Sequence, residues 1–312
     1  MPRLAYVDGR YCRTAEAVVP MEDRAFLFAD GVYEVVLALA GRPVDEEAHL
    51  DRLGRSLMAL EIPWPTSRTV LRQIMRRLLH RARSRAATCY LQISRGAAAR
   101  DHKFPRPTPR PSLAMMVRPF SLTGLLARQR TGVRVVLVDD ERWKRCDVKS
   151  VSLLANVLAK EQAARADAFE AWMVDDAGMV TEGASSTAFL VDATGALVTR
   201  PLSAAILPSI TRAVVLALAR SHGIPVHERP FGLQDIAQAR EAFLCSTTSA
   251  VTPVTAVGER TIADGRPGPV TRRLIAAHWA HMARETDTPI PAEWRPIPPD
   301  SSDTARTAHS AS

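Results

Sequence analysis

The sequence predicts an α+β protein that is divided into two domains. Its 312 residues exceed the length of roughly 250 at which a single hydrophobic core stops growing. Strand and helix patterns are mixed and do not alternate strictly, which favours α+β over a doubly wound parallel sheet. We expect an N-terminal domain at 1–120, a connection at 121–132, a C-terminal domain at 133–285 and a disordered tail at 286–312, where proline, serine, threonine and charge dominate.

An apolar stripe predicts the first helix of the N-terminal domain at 46–62. Leucines recur there at i, i+3, i+7 and i+10, and the helix is expected to stop at Pro63. A second helix is predicted at 66–85. Alternating apolar residues predict strands at 89–96 and 112–120. The leucines of the stripe are Leu50, Leu53, Leu57 and Leu60.

The C-terminal domain begins with a strand at 133–140 and a helix near 151–166. FEAWMVDD and GMVTEG predict a hairpin that turns at Asp175–Gly178, and STAFLVD and ALVTRPL continue as strands. A helix is expected to start at Ser209, a good N-cap after a proline, and 241–248 is expected to be the last buried strand.

Composition excludes several classes of protein. Hydrophobic residues make up 46% and charged residues 24% of the chain, which is ordinary globular usage. No apolar run reaches the ~18 residues that cross a bilayer. The first residues lack the apolar stretch of a signal peptide, so a cytoplasmic location is expected. The four cysteines show no metal-binding spacing, so neither disulfides nor a metal site is expected.

The net charge of +8 raises the question of a nucleic-acid partner. The excess consists mostly of arginines spread along helical segments such as 71–85, without interleaved aromatic residues. That pattern is typical of solvated helix faces. We therefore expect neither a nucleic acid nor a membrane as partner.

Six sequence blocks, in order, resemble the fold-type IV pyridoxal-phosphate enzymes, the family of D-amino acid and branched-chain aminotransferases and aminodeoxychorismate lyase. The resemblance covers about residues 4–285 and is strongest to D-amino acid aminotransferases. It implies a smaller N-terminal α/β domain and a larger C-terminal mixed, β-barrel-like domain with helices. The blocks are MEDRAFLFADGVYEVV (21–36), HLDRL (49–53), WKRCDVKSVSLLANVLAKEQA (143–163), VTEGASSTAFLV (180–191), ILPSITR (206–212) and CSTTSAVTPV (245–254).

The resemblance implies pyridoxal 5'-phosphate as cofactor. Lys149 then matches the lysine whose amine bonds to the cofactor aldehyde and carries the substrate proton. Glu182 matches the carboxylate that meets the protonated ring nitrogen. Taken alone, Lys149 reads as a solvated surface charge and Glu182 as a surface carboxylate at a strand end.

The same resemblance assigns binding of the cofactor phosphate to the backbone amides of Ile210 and Thr211, to Arg52 and to Thr247. A helix N-terminus and charge-assisted donors suit a phosphate dianion. Taken alone, Arg52 reads as an arginine that covers the core with its stem. Ser186 is a further cofactor contact, although small residues after Glu182 also allow close backbone packing.

The sequence departs from the family at two positions near these blocks. Thr187 stands where the family often carries asparagine, and Ala250 stands where it often carries an acidic residue. These differences leave open which side chains surround the ring and the phosphate, but they alter none of the primary roles.

The block ISRGAAARDHKFP (93–105) resembles the strand and loop of D-amino acid aminotransferases that bind the substrate α-carboxylate. By this resemblance, Tyr33, Arg100 and His102 would hold that carboxylate. In the resembling enzymes the arginine and histidine come from the partner subunit, which implies a homodimer. We therefore expect transamination of a D-amino acid such as D-alanine with 2-oxoglutarate, giving pyruvate and D-glutamate. Taken alone, Arg100 and His102 belong to an ordinary basic surface loop.

Alternative functions within the family are a branched-chain L-aminotransferase, an R-selective amine transaminase and aminodeoxychorismate lyase. Outside enzymology, the alternative is a basic binding protein on a decayed enzyme scaffold. Such a protein would have no chemical reason to keep Lys149, Glu182 and Arg52 together.

Overall fold

A computed structural model describes residues 4–289 and divides them into two compact units. Unit 1 comprises the described residues up to Ser121 together with Lys144–Leu154 and Glu285–Thr288. Unit 2 comprises Leu122–Trp143 and Ala155–Arg284. Both contain sheets and helices, so the α+β class predicted from the sequence is confirmed. Among the described residues, no helix is both long and apolar enough to span a membrane.

Unit 1 is built on a six-stranded sheet in which every neighbouring pair is antiparallel. Its strands are β1 (Leu4–Val7), β2 (Arg10–Arg13), β3 (Gly31–Leu39), β4 (Arg42–Pro43), β5 (Ala86–Ser94) and β6 (Ser112–Pro119), in the order β2-β1-β6-β5-β3-β4. Its helices are α1 (Arg24–Phe28), α2 (Glu46–Ala59) and α3 (Arg68–Ala82), with a single 3₁₀ turn at Thr14–Glu16.

Helix α2 forms because its leucine stripe packs onto the sheet. Leu50, Leu53 and Leu57 are at most 2% exposed and share a core with residues of β3, β5 and α3. The helix ends at Ala59, three residues before the predicted end at 62, because Leu60 and Glu61 leave the helical conformation. Helix α3 starts after Ser67, whose hydroxyl accepts a hydrogen bond from the Val70 N–H at 3.3 Å.

Unit 2 contains a nine-stranded mixed sheet. Its strands are β7 (Val133–Asp139), β8 (Glu170–Val174), β9 (Val180–Gly183), β10 (Thr187–Val191), β11 (Leu197–Thr199), β12 (Val226–Glu228), β13 (Glu241–Ser246), β14 (Ala250–Val257) and β15 (Arg260–Thr261). The order is β12-β11-β10-β13-β14-β7-β8-β9, with β15 also paired to β14. The helices are α4 (Leu122–Thr131), α5 (Leu154–Arg165), α6 (Ile210–Ser221), α7 (Leu233–Gln238) and α8 (Pro269–Thr286).

The sheet of unit 2 is curled, since its edge strand β9 returns close to the interior strand β10. The Gly183 N–H at the end of β9 donates to the Ser186 carbonyl at 2.6 Å, one residue before β10 begins. This tight connection places the carboxyl end of β9 beside the start of β10.

Several segments differ from the sequence-based expectation. The stretch 121–132, expected to be a connection, is occupied by α4, which buries Leu122, Leu125 and Leu126. Strand β13 is not the last buried strand, because the buried strand β14 follows it and pairs with its residues Ala242–Ser246. Helix α8 extends to Thr286, and residues 290–312, where the disordered tail was predicted, lie outside the described residues.

The lysine segment Lys144–Leu154 belongs to unit 1, whereas the sequence-based division places it in the second domain. The reason is hydrogen bonding to the start of β3. The Tyr33 N–H donates to the Lys149 carbonyl and the Val151 N–H donates to the Gly31 carbonyl, both at 3.0 Å.

Candidate active site

Lys149 is held against Tyr33 in unit 1. Besides the bond from the Tyr33 N–H, the Lys149 N–H donates to the Ser56 hydroxyl of α2 at 3.2 Å. The Lys149 Nζ atom lies 4.1 Å from the centroid of the Tyr33 ring, a cation–π distance. The main chain of Lys149 is therefore fixed by a strand and a helix, and its amine rests on an aromatic face. This placement differs from that of a freely solvated surface lysine.

Tyr33 is in turn oriented by Tyr90 on the neighbouring strand. The two rings stack with centroids 5.7 Å apart and an angle of 26° between their planes. The Tyr90 hydroxyl donates to Gln92 Oε1 at 2.7 Å. Burial, together with the neighbouring Tyr33, raises the pKa of Tyr90 to about 12, so this phenol stays neutral at physiological pH.

Arg52 forms a buried bidentate ion pair with Glu34. Its Nε and Nη2 atoms donate to the two carboxylate oxygens at 2.8 Å each. His49 Nδ1 lies 2.7 Å from Glu34 Oε2. Burial alone would raise the pKa of Glu34, but Arg52 and His49 together lower it to about 2. Arg52 is 4% exposed, so its whole side chain is fixed in the interior, beyond what covering the core with its stem requires.

Glu182 lies at the end of β9 and is buried, with 8% of its side chain exposed. Both of its oxygens accept from the Leu207 N–H, at 3.1 and 3.2 Å. One oxygen also accepts from Arg142 Nη1. Glu182 is therefore an oriented, ion-paired carboxylate and not the surface carboxylate that its flanking residues suggest.

Arg142, which sequence reasoning missed, is the ion-pair partner of the candidate site residue Glu182. It follows β7 and is 5% exposed. Besides Glu182, it donates to both oxygens of Asp140, at 2.8 Å from Nε and 2.7 Å from Nη2, and to the Ala205 carbonyl at 3.1 Å. Burial would raise the pKa of Asp140, but hydrogen bonds from Arg142 and Thr181 lower it. In the sequence, DDERWKR resembles a charged surface segment. The burial of Arg142 within it depends on contacts with the distant strand β9.

The N-terminus of α6 offers main-chain donors. The Ser209 hydroxyl caps the helix by accepting from the Arg212 N–H at 3.2 Å. Helix geometry leaves the N–H groups of Ile210 and Thr211, the first two helical residues, without an intrahelical acceptor. Such a terminus favours an anion.

Thr247 lies in the short turn that joins β13 to β14, and α6 packs against β13. The Ser246 hydroxyl accepts from the Ser249 N–H at 3.1 Å. Ala250 closes the turn in the left-handed conformation, with φ of 46°. Thr247 therefore directly follows the strand that contacts α6.

Ser186 and Ser185 both donate their hydroxyls to Glu170 Oε2, at 3.1 and 2.7 Å. Glu170 is 1% exposed, and its other oxygen accepts from Lys160 Nζ at 3.1 Å. These bonds hold the turn that follows Glu182. In this structure the two serines therefore act in local packing, which was the alternative to a contact with the cofactor. The cofactor contact of Ser186 stays a prediction.

Arg100 and His102 lie in the exposed loop between β5 and β6 and pack on one aromatic ring. The Arg100 guanidinium carbon is 5.3 Å from the centroid of Phe28, and the His102 ring centroid is also 5.3 Å from it. The structure thus brings this predicted pair together against Phe28 of α1.

Comparison with known proteins identifies the family. Residues 31–257 match the family described as Amino-transferase class IV. The chain belongs to the class IV aminotransferases. The resemblance seen in the sequence blocks is therefore confirmed, and the protein is an aminotransferase.

This class IV aminotransferase is similar to named relatives over nearly its whole length. It is 35% identical over 280 residues to the D-alanine aminotransferase of Bacillus licheniformis, covering 89% of this chain and 97% of that protein. The Escherichia coli branched-chain amino acid aminotransferase superposes with a TM-score of 0.83 at 24% identity, covering 94% of this chain and 98% of the other. A hypothetical aminotransferase from Mycobacterium tuberculosis, in a PLP-bound form, gives 0.79 at 22% identity, covering 90% and 99%. The two structures show the shared fold.

Proposed function

We propose that this class IV aminotransferase uses pyridoxal 5'-phosphate to move the amino group of a D-amino acid, D-alanine, to 2-oxoglutarate, giving pyruvate and D-glutamate. The observation that carries the proposal is the Lys149 amine held 4.1 Å from the Tyr33 ring centroid, with the next residue of the strand, Glu34, clamping Arg52. The relatives named D-alanine aminotransferase support the amino donor. The likeness to branched-chain aminotransferases is one of fold and favours no second substrate.

The donor set of the described residues fits this cofactor. In unit 1, Arg52 offers a cationic donor. In unit 2, the α6 terminus at Ile210 and Thr211 and the Thr247 hydroxyl offer N–H and O–H donors. A phosphate dianion suits donors of both kinds. Glu182 offers a buried, oriented carboxylate for a protonated ring nitrogen. When bound, the cofactor supplies an electron sink for the negative charge that develops at the substrate Cα.

The remaining chemistry belongs to side chains of this protein. Lys149 would take the proton from the substrate Cα as a general base and deliver it as a general acid to carbon C4′ of the bound cofactor, which leaves the amino nitrogen with the cofactor. Arg142 keeps the Glu182 carboxylate in place. Tyr33, Arg100 and His102 bind the α-carboxylate, which fixes the face of the substrate that meets Lys149.

We also propose a homodimer in which Arg100 and His102 serve the partner's site. The dimer proposal is supported by the exposure of both side chains, which lie on a surface loop of their own chain and pack on Phe28. The cytoplasmic location expected from the sequence stays a prediction.

A half-reaction screen tests the proposal. The purified protein is mixed with single D- or L-amino acids, and the visible absorbance band of the bound cofactor is followed. We expect a yellow protein whose band disappears faster with D-alanine than with L-leucine or L-alanine. Borohydride should attach the cofactor to Lys149. A colourless protein that does not bind added pyridoxal phosphate would contradict the proposed enzymatic activity. A faster reaction with L-leucine than with D-alanine would contradict the proposed substrate.

Two lysine variants provide the matched control. Lys149→Ala should abolish both the borohydride attachment and turnover. Lys144→Ala removes an exposed lysine five residues earlier and should leave both unchanged.

A further inference from the structure

The loop that carries Arg100 and His102 is held by α1 of the same chain, and the residue between the two, Asp101, is the point of attachment. The Nη1 atom of Arg24, the first residue of α1, donates to the Asp101 carbonyl at 2.6 Å. Arg24 is an almost fully buried arginine, with 4% of its side chain exposed. A buried guanidinium thus reaches across to the main chain of an exposed loop.

Phe28 supplies a second attachment at the other end of α1. The guanidinium carbons of Arg24 and Arg100 lie 4.7 and 5.3 Å from the centroid of its ring. The His102 ring lies against the same side chain, with an angle of 52° between the planes. One aromatic ring therefore fixes the direction of both predicted carboxylate-binding side chains.

Asp30 sets the position of Arg24. Its Oδ2 atom accepts from Arg24 Nε and from Arg95 Nε, both at 2.7 Å. The Asp30 N–H donates to the Arg24 carbonyl at 3.3 Å, which closes the end of α1 and returns Asp30 to the start of the helix. The Asp30 carboxylate therefore holds Arg24 at Nε, while Nη1 of the same guanidinium holds the loop.

The main chain reinforces this arrangement at the start of the loop. The Arg24 N–H donates to the Gly96 carbonyl at 3.0 Å, and the Ala98 N–H donates to the Glu22 carbonyl at 3.2 Å. These bonds end at Ala98. From Arg100 onward, the Arg24 side chain and the Phe28 ring hold the loop, and further along it the Arg95 guanidinium carbon lies 3.6 Å from the centroid of the Phe104 ring.

From this geometry we propose that Arg24 and Phe28 are positioning residues that hold Arg100 and His102 in the arrangement that binds the substrate carboxylate. The inference rests on the proposed function, since it assumes that these two side chains meet the substrate. Arg24 acts through the loop and touches no reacting atom. A guanidinium suits the task because its nitrogens donate in fixed, divergent directions, so it can serve Asp30 and the Asp101 carbonyl at once. The compact ammonium of lysine cannot span both acceptors in this way.

The test compares four single variants of the cofactor-loaded enzyme in steady-state kinetics with D-alanine. Arg24→Lys keeps the charge but loses the fork, and Phe28→Leu removes the aromatic face at similar volume. We expect each to raise the KM for D-alanine at least tenfold, with kcat within twofold of the wild type. Cofactor affinity, measured by titrating pyridoxal phosphate into the apo protein, should stay within twofold. Arg100→Ala serves as the benchmark and should raise the KM by at least as much.

Lys103→Gln is the matched control on the same loop. Lys103 is 88% exposed and lies 3.9 Å from the Asp101 carboxylate, so it carries a nearby charge without holding the main chain. Its KM should equal that of the wild type. The double variant Arg24→Lys/Arg100→Ala should be less than additive, because Arg24 acts through Arg100.

The outcomes separate this inference from the proposed function. If Arg100→Ala raises the KM while Arg24→Lys and Phe28→Leu stay within twofold of the wild type, the positioning role is wrong and the substrate role stands. If Arg100→Ala itself leaves the KM unchanged, both are wrong. A purely structural role would lower the denaturation midpoint and kcat without the selective change in KM. Should Arg24→Lys fail to fold, Phe28→Leu decides, since it leaves the buried charges intact.

Discussion

Replacing Glu34 with glutamine removes the charge that holds Arg52 and His49. In the wild type, Arg52 donates to both carboxylate oxygens at 2.8 Å, and Glu34 is 2% exposed. Glu34→Gln leaves the guanidinium buried beside a neutral amide, which compensates its charge poorly. Removing one partner of a buried ion pair costs about 3–5 kcal/mol in other proteins.

The pKa of Glu34 gives a second estimate of how much its ionised carboxylate stabilises the folded protein. Its value of about 2 in the folded protein compares with an ordinary value of 4.5. At 1.36 kcal/mol per pH unit, the difference corresponds to about 3 kcal/mol of stability from the ionised carboxylate. Because the folded pKa is the lower one, this contribution is fully present above pH 4.5 and disappears as the pH falls towards 2.

Urea denaturation at a series of pH values is the assay. We expect Glu34→Gln to lower the free energy of unfolding by about 3 kcal/mol at pH 7, and the difference from the wild type to shrink between pH 4.5 and 2. The control is Glu161→Gln, which breaks an exposed pair with Arg165 and should cost less than about 1 kcal/mol at every pH. A loss at pH 7 no larger than that of the control, or one that does not change with pH, would refute the reasoning.

Three further predictions follow from single contacts. Arg142→Gln should lower the stability of the protein by about 3 kcal/mol, because it leaves two buried carboxylates without their cation, and should weaken pyridoxal phosphate binding in a titration of apo protein; Arg145→Gln, in an exposed pair, should change neither. Ser209→Ala removes the cap of α6 and should cost about 1 kcal/mol in urea; an unchanged midpoint would contradict the capping role. Gly96→Ala places a Cβ 2.2 Å from the Arg110 carbonyl at a φ of 100°, so thermal denaturation should show a clear loss of stability, and an alanine variant as stable as the wild type would contradict this geometry.

Local patterns predicted much of the fold. The helix α2 is visible because Leu50, Leu53 and Leu57 recur at helical spacing and one stripe of leucines must be buried. The start of α6 is visible because Ser209 follows a proline and precedes an apolar run. The α+β class followed from such local periods, since strands and helices each show their own repeat.

Features that depend on distant contacts escaped prediction. Helix α4 was missed because its buried polar residue, Gln129, is satisfied by residues far along the chain. Its amide donates to the Val251 carbonyl at 2.8 Å and accepts from the Trp279 ring nitrogen at 3.0 Å. Without those partners, the segment reads as a polar connection.

The candidate site shows the same division. Lys149, Glu182 and the α6 terminus could be named because each lies in a short block that resembles the family. Arg142 could not, because its burial requires β9 to return beside the end of β7, a contact between residues about 40 positions apart. The role of Arg24 could not be predicted for a related reason, because the carbonyl that accepts its hydrogen bond belongs to Asp101, 77 residues further along the chain.

The return of Lys144–Leu154 to unit 1 has a consequence for how this chain can be made and rearranged. Unit 1 is not a continuous stretch of sequence, so a ribosome must synthesise α4 and β7 before the segment that completes β3's hydrogen bonding emerges. A gene fragment that stops at residue 121 encodes a sheet without that segment. Recombination between two such enzymes by a single crossover near residue 121 would therefore pair the Tyr33 of one parent with the lysine of the other. Exchange of the whole of unit 1 requires at least three further crossovers, one on each side of the lysine segment and one before Glu285.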